Sequence, residues 1–585
     1  MTEQSLASRR TEGRFVFAVF ACGILLAVLS ALKLFPLVGM ARWLSSDGTI
    51  SDSYAGLIQR SQWTLAFILL ALSPLASRAT PFSEGLQNTV TGVREKTFLG
   101  ILALISFTAT LAIQSLCFDN LPHVTDATSH LFQAKIFAMG RLAVSIPACH
   151  EHFAQEGVIM GHAGLWHTKY LPGQALWLTL GTLLRAWWLP GPLGSAISVV
   201  AFYSICRRHM SVFAARSAAL LLMSSPLFLL LSASFMSHST HLMLLLCAAA
   251  LLHRAAETSP SASSWSFVAF GLVSGFAFLT RPQDTAILAP ILLGLLLALT
   301  PTQRRLRGIA WSMVGAIPAL SIMLLWSMKL YGTPLSIGYA VTANPSQTHI
   351  YHDSLGISAH FPFRQALRQT LWTVLRFNKV ALGWPASLFL VPFALCSKSP
   401  RKHDLSAATV MLCVGALYFF HSYYGFEYEA RYYLPMLPAV IWLTVAGASA
   451  LFEFLARRFG QTFARATLSL FMAASVLHAA FYYWPQYLLP RYRPDYEQCS
   501  SVVSRAAQKA ALRNAIVLIS TQGDDAFRYS SGFVFNDPML SANVIYARDL
   551  GEKNRCFAEN FPGRAIYQFV PNADWTSGRF ELVEF

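Results

Sequence analysis

The sequence predicts an all-α polytopic membrane protein of about thirteen transmembrane helices, followed by a small α/β domain outside the membrane. Three observations predict it. The 585 residues are 55% hydrophobic and 12% charged, with mean hydropathy +0.46, too apolar for a soluble multidomain enzyme. Apolar runs of near-spanning length recur along the chain, and Lys and Arg cluster in the short loops between them. From about Pro490 the composition changes, and short β-branched runs replace the long apolar ones.

The elements follow in order. Arg9, Arg10 and Arg14 precede an apolar run over 15–38 that is longer than a signal-peptide core and lacks its small-residue cleavage site, so it reads as an anchor. Further runs cover 63–79, 97–117, 173–189, 193–206, 214–235, 241–255, 265–280, 284–300, 308–331, 379–397, 405–423, 432–455 and 465–487. Arg207-Arg208, Arg304-Arg305-Arg307, Lys398 with Arg401-Lys402, and Arg457-Arg458 with Arg465 mark cytoplasmic loops. The alternate loops, with Asp126, Tyr331 to Phe377, His421 to Tyr433 and the C-terminal tail, then face outside. A cytoplasmic start and an external tail need an odd number of crossings, and Pro190-Gly191-Pro192 marks 173–206 as the pair that crosses once in net or re-enters. Ala515 to Ser520, Val544 to Ala547 and Ala565 to Phe569 read as strands. Three domains result: 1–96 with two added spans, 97–489 as the membrane module with an external loop over 118–170, and 490–585 outside.

The net charge of +16 belongs to the cytoplasmic loops and excludes nucleic acid as a partner. The nine cysteines form no CxxC pair. Cys22, Cys206, Cys247, Cys396 and Cys413 are small thiols in or beside spans, whereas Cys117 with Cys149, or Cys499 with Cys556, would suit a disulfide on an oxidising face. GxxxxGK[ST], HExxH and GxSxG motifs are absent. Ionisable residues gather at the outer ends of spans and not at mid-membrane, unlike an ion-coupled carrier. An enzyme working there needs a donor already carried in the membrane.

The stretch Phe118 to Arg141 organises that chemistry. Asp126 heads a short helix that Thr125 or Asp126 can cap and Gly140 can end. Leu131, Phe132, Ile136 and Met139 give it an apolar face suited to lipid, from which Lys135 can snorkel. An acid beside the positive end of a helix dipole at a membrane surface reads as a catalytic base, with Asp119 as the alternative. Arg431 and then Arg281 suit phosphate, because a guanidinium fork matches its oxygens. Lys169 and Tyr170 open the next span and can face a donor headgroup, while His238 and His241 can line the same cavity. Glu429 accompanies Arg431 among the substrate-binding residues. Tyr423, Tyr424, Tyr428, Tyr432 and Tyr433 near Arg431 fit an interfacial aromatic belt better than a sugar platform. His123, His130, His150, His152, His162 and His167 crowd the loop; His150 and His152 offer two ligands to a divalent metal, but no recognised metal spacing is present.

The loop Asp126 after a span, then Lys169-Tyr170-Leu171-Pro172-Gly173, Ser237-His238, Thr280-Arg281-Pro282, Tyr331-Gly332-Thr333-Pro334 and Glu429-Ala430-Arg431-Tyr432 with Pro435, resembles the GT-C glycosyltransferases. The likeness is to bacterial members related to protein O-mannosyltransferases and lipid A aminoarabinose transferases, and it covers roughly 97–490. It implies a GT-C-like fold in a bacterial inner membrane, with the active site facing the periplasm or exterior. The partners implied are a polyprenyl-phosphate-linked sugar donor and a lipid, polysaccharide or protein acceptor, with inversion at the anomeric carbon. Many relatives follow the loop aspartate with a second acid; here Ala127 follows, which speaks against a mechanism or metal site needing two adjacent carboxylates. Rival readings are a non-catalytic transporter or assembly factor for lipid-linked glycans, which has no need of Asp126, and a ligase that moves a preassembled glycan.

Overall fold

A long run that is apolar on every face can satisfy its backbone inside lipid only as a helix, and helices dominate this chain. The computed structural model describes residues 21, 23–24, 49–72, 79–161, 164–257, 260–338, 362–384, 386–396, 402–421, 427–493, 495–521 and 527–584. In chain order the main helices are α1 (Thr49–Leu72), α2 (Ala79–Gly92), α3 (Glu95–Phe118), α4 (Thr125–Ala138), α5 (Gly173–Leu183) and α6 (Pro190–His209). There follow α7 (Val212–Ser224), α8 (Pro226–Ala233), α9 (Ser237–Glu257), α10 (Pro260–Thr280), α11 (Pro282–Leu299) and α12 (Thr302–Tyr331). The last are α13 (Phe363–Val380), α14 (Val391–Leu395), α15 (Lys402–Phe419), α16 (Leu437–Phe459), α17 (Gln461–His478) and α18 (Val502–Lys509).

Among the described residues, 6 helices are long and apolar enough to cross a membrane, or 7 if α7 and α8, bent by 51° at their junction, form one span. The expectation of thirteen is met only in part, and the reasons are local. The 173–189 run folds as an 11-residue helix, and Pro190 starts α6 directly after it. The 379–397 run is divided between the end of α13 and the 5-residue α14. Of the 15–38 run only residues 21, 23 and 24 are described, and Arg9, Arg10, Arg14 and Cys22 lie outside the described residues.

The chain divides into two compact units. The first comprises Met1–Leu104, Val199–Phe228 and Ser358–Pro490. Its central element is α16, buried continuously from Leu437 to Val445 and packed on α7, α14, α15 and α17. In turn α17 lies on α1 and α2.

The second unit comprises Ile105–Ser198, Leu229–Ile357 and Arg491–Phe585. Here α10 packs between α9 and α12. A Cβ on Gly271 would stand 1.8 Å from the Ser312 carbonyl oxygen, and one on Gly315 would stand 2.0 Å from that of Val268. Glycine on both sides is what lets these two backbones touch.

Beyond the helices, β1 (Val144–Ser145), β2 (Val158–Met160) and β3 (Leu165–Thr168) form a small antiparallel sheet in the order β1-β3-β2. The C-terminal strands β4 (Ala515–Ile519), β5 (Val544–Arg548), β6 (Ala565–Pro571) and β7 (Gly578–Leu582) are ordered β5-β4-β6-β7. All five residues of β4 are buried, as a central strand paired in parallel on both edges requires. The three strands read from the sequence are present, and β7 joins them.

The C-terminal segment is not a free-standing body. Phe132, Ile136, Val144, Phe153 and Trp166 of the loop share one core with Val503, Ile516, Leu518, Phe533, Tyr546, Phe557 and Trp575. This corrects the expectation of a lipid-facing α4. Phe132 and Ile136 are buried in protein, and Leu131 packs with Leu121 and Val534; only Met139 is exposed. Lys135 does not snorkel: its Nζ donates to the carbonyls of Val534 and Asn536, the latter at 2.9 Å, and burial lowers its pKa to about 8. The disulfide pairing is also corrected. Cys149 bonds Cys556, while Cys117 and Cys499 are buried free thiols, the Cys499 Sγ lying against the Pro122 carbonyl. Packing the loop onto the C-terminal core brings together cysteines 407 residues apart.

Candidate functional site

The second unit gathers most of the expected site residues. Asp126 lies in the first turn of α4, whose N-cap is Val124; no side chain caps the helix, against the expectation for Thr125 or Asp126. The Asp126 carboxylate accepts a hydrogen bond from the Tyr170 hydroxyl, so its orientation is set across the loop and not by its own helix end. Gly140 follows the helix with φ +71°, the left-handed exit expected of it.

Tyr170 and Lys169 are buried where β3 gives way to α5, and the Lys169 Nζ stands 5.1 Å from the Tyr170 ring centroid. The turn into α5 needs Gly173. A Cβ there would sit 2.5 Å from both the backbone N and the Oγ1 of Thr280, so the Lys169–Gly173 segment rests directly against Thr280-Arg281. Arg281 is the N-cap of α11, and its Nε pairs with Asp284 at 2.6 Å. Its Nη1 donates to Ser237 Oγ at 3.4 Å, which ties it to the head of α9 beside the buried His238. From the next turn of α9, His241 Nε2 bonds the Thr285 hydroxyl at 2.9 Å.

His130, one turn after Asp126, is buried with its ring 4.6 Å from that of Tyr170. Burial lowers its pKa to about 4; Asp126 opposes that shift, and Arg281 and Lys169 add to it. One neutral imidazole thus feels the acid and both cations. Sequence reasoning set His130 among six loop histidines and did not single it out; its four-residue spacing from Asp126 is the signal that could have found it.

Three of the other loop histidines have structural partners. His123 bonds the carbonyls of Tyr496 and Phe118, His152 bonds Asn554 Oδ1 at 3.2 Å, and His167 bonds its neighbour's carbonyl. His162 lies outside the described residues. Glu151, between His150 and His152, pairs with Lys553. No group of three or more His, Cys, Asp or Glu suited to a metal ion occurs among the described residues. Asp119, the alternative base, accepts from the Ser501 hydroxyl and pairs with Arg505 at 3.4 Å.

Arg431 and Glu429 belong to the first unit. The Glu429 carboxylate pairs with Arg376 Nε at 3.3 Å and Lys379 Nζ at 3.5 Å, and accepts from the Tyr487 hydroxyl at 2.7 Å. Arg431 pairs with Glu427 at 3.0 Å and lies over the Tyr432 ring at 5.1 Å. Tyr428 and Glu429 both hold positive φ, 54° and 59°, although neither is glycine. Two adjacent side chains in that region are a local strain of the kind found at functional sites. Tyr428 and Tyr433 are buried in protein, and Tyr423 and Tyr424 lie outside the described residues. Sequence reasoning missed Arg376, Lys379 and Tyr487. Arg376 and Lys379 stand three apart on α13, so one face presents both.

A family model described as dolichyl-phosphate-mannose-protein mannosyltransferase matches residues 173–327. No curated protein matches the chain. Among solved structures, ArnT from Cupriavidus metallidurans bound to undecaprenyl phosphate is 13% identical, with 82% of this chain and 93% of that one covered and a TM-score of 0.47. The oligosaccharyltransferase AglB from Archaeoglobus fulgidus, in complex with an inhibitory peptide and a dolichol-phosphate, is 11% identical, with 81% and 69% covered and a TM-score of 0.39. The matched stretch lies within the 97–490 region over which the sequence motifs resemble the GT-C glycosyltransferases.

Proposed function

We propose that this protein transfers a sugar from a polyprenyl-phosphate-linked donor to an acceptor hydroxyl on the external, periplasmic face of a bacterial inner membrane. The observation that carries the reading is Asp126, half-buried and held by the Tyr170 hydroxyl, one turn from the buried His130, which feels Asp126, Lys169 and Arg281 together. The matched family supports the same class of donor. The Cys149–Cys556 disulfide supports an oxidising compartment for the loop.

The acceptor oxygen attacks the anomeric carbon as its proton passes to Asp126, and the bond to the phosphate breaks on the opposite side. Inversion follows from this single displacement. The polyprenyl phosphate leaves with the electron pair, and Lys169 and Arg281 stabilise its charge. One carboxylate suffices because the leaving group needs no proton, which fits Ala127 in the position of a second acid. His238 contributes to the wall beside Arg281. In the first unit, Arg431 and the Glu429-held Arg376 and Lys379 form a cationic set suited to an anionic lipid group, with Glu429 as the residue that positions the other two.

The test is Asp126→Asn in purified, correctly inserted protein. Transfer from a polyprenyl-phosphate sugar should be lost while undecaprenyl phosphate still binds. Retained transfer excludes Asp126 as the base. Unchanged cell-envelope glycans in the variant and altered ones in the deletion strain would favour the non-catalytic transporter.

A further inference from the structure

His130 is 3% exposed, and its Nδ1 is buried with no hydrogen-bond partner among the described residues. A buried polar atom that finds no partner within the chain can take one from a bound ligand. Three features narrow that partner. The imidazole shares a helix face with Asp126 one turn away, its ring is held against Tyr170 at 4.6 Å, and it lies within electrostatic reach of Lys169 and Arg281. A neutral imidazole presents one donor and one acceptor. Phosphate oxygens offer only acceptors, and the charges of Lys169 and Arg281 lie nearby. A hydroxyl offers both roles.

We propose that His130 hydrogen-bonds a ring hydroxyl of the sugar to be transferred and so helps select the donor. This rests on the glycosyltransferase reading, in which Lys169 and Arg281 hold the donor phosphate. The sugar is bonded to that phosphate, so its ring must lie beside the same two cations, where His130 is. A site built to bond a hydroxyl strongly rejects a ligand that lacks it, because its own buried polar atom is then left unpaired.

The experiment measures binding to the full chain in lipid nanodiscs. The probes are undecaprenyl phosphate, a panel of undecaprenyl-phosphate hexoses and pentoses, and monodeoxy analogues of the best-bound sugar lipid. Wild type is expected to bind one sugar lipid more tightly than undecaprenyl phosphate. His130→Phe should keep its affinity for undecaprenyl phosphate within about twofold and lose about tenfold on that sugar lipid, with His130→Gln recovering part of the loss. One deoxy analogue should bind wild type and His130→Phe alike. If His130→Phe does not insert, His130→Leu carries the same comparison. Unchanged sugar-lipid affinity, or an equal loss on both lipids, overturns the role of His130 and leaves the glycosyltransferase reading standing. A wild type that prefers no sugar-bearing lipid overturns both.

Discussion

Asp126 is bonded by a hydroxyl 44 residues away, and the proposed mechanism depends on that contact. Asp126→Asn is expected to lower kcat by about two to four orders of magnitude, the usual worth of a general base, with donor affinity little changed. Tyr170→Phe removes the hydrogen bond and keeps the ring, so a loss of roughly tenfold in kcat is expected from a misdirected carboxylate. Both are read in a transfer assay against wild type. His130 gives a pH signature. Its folded pKa is depressed to about 4 from 6.5, so between those values the unfolded chain binds more protons than the folded one. Its contribution to stability is complete above about pH 6.5 and is lost as pH falls through about 4. His130→Gln should therefore show a shallower fall of unfolding temperature with acidification than wild type. The sequence singled out Asp126, Lys169, Tyr170 and Arg281 through their chemistry and their shared side of the membrane. It could not show that Tyr170 serves Asp126, or that Glu429 holds Arg376 and Lys379, because such contacts depend on folding between distant segments.

At the scale of elements, α4 is held by protein on the side that carries Phe132 and Ile136, and its amphipathic spacing was equally compatible with lipid. Periodicity says that a face is apolar, and it does not say what covers it. Trp166, wholly buried between Phe132 and Phe533, tests the cover. Trp166→Ala is expected to cost about 3–5 kcal/mol, seen as protease-sensitive loop and C-terminal segments and reduced transfer. Gly173→Ala is expected to separate the Lys169–Gly173 turn from Thr280 and to weaken undecaprenyl phosphate binding, since neither backbone can yield freely. The strands β4, β5 and β6 were legible as short apolar runs between turn residues. Their common core with the loop was not, because nothing local to either segment records it.

For the whole molecule, sidedness is the quantity to measure. With the exposed Cys396 first replaced, a cysteine at Glu151 should react with a membrane-impermeant thiol reagent on intact spheroplasts, and one at Arg307 only after permeabilisation. The reverse pattern would contradict an external Asp126. Membrane character was legible from composition alone, but the number of crossings was not. Pro190 and the short α14 divide apolar runs that hydropathy averages together, and helix length, not run length, decides what can span. The Cys149–Cys556 bond has a bearing on how such a protein is made. The acid-bearing helix leaves the ribosome early, but the residues that close its back wall are synthesised about four hundred codons later. On the proposed mechanism, a nascent chain carries its reactive group in an unfinished support, and competence arrives only when the tail has folded onto the loop and the disulfide has formed. Products of interrupted synthesis should be inert and not partly active.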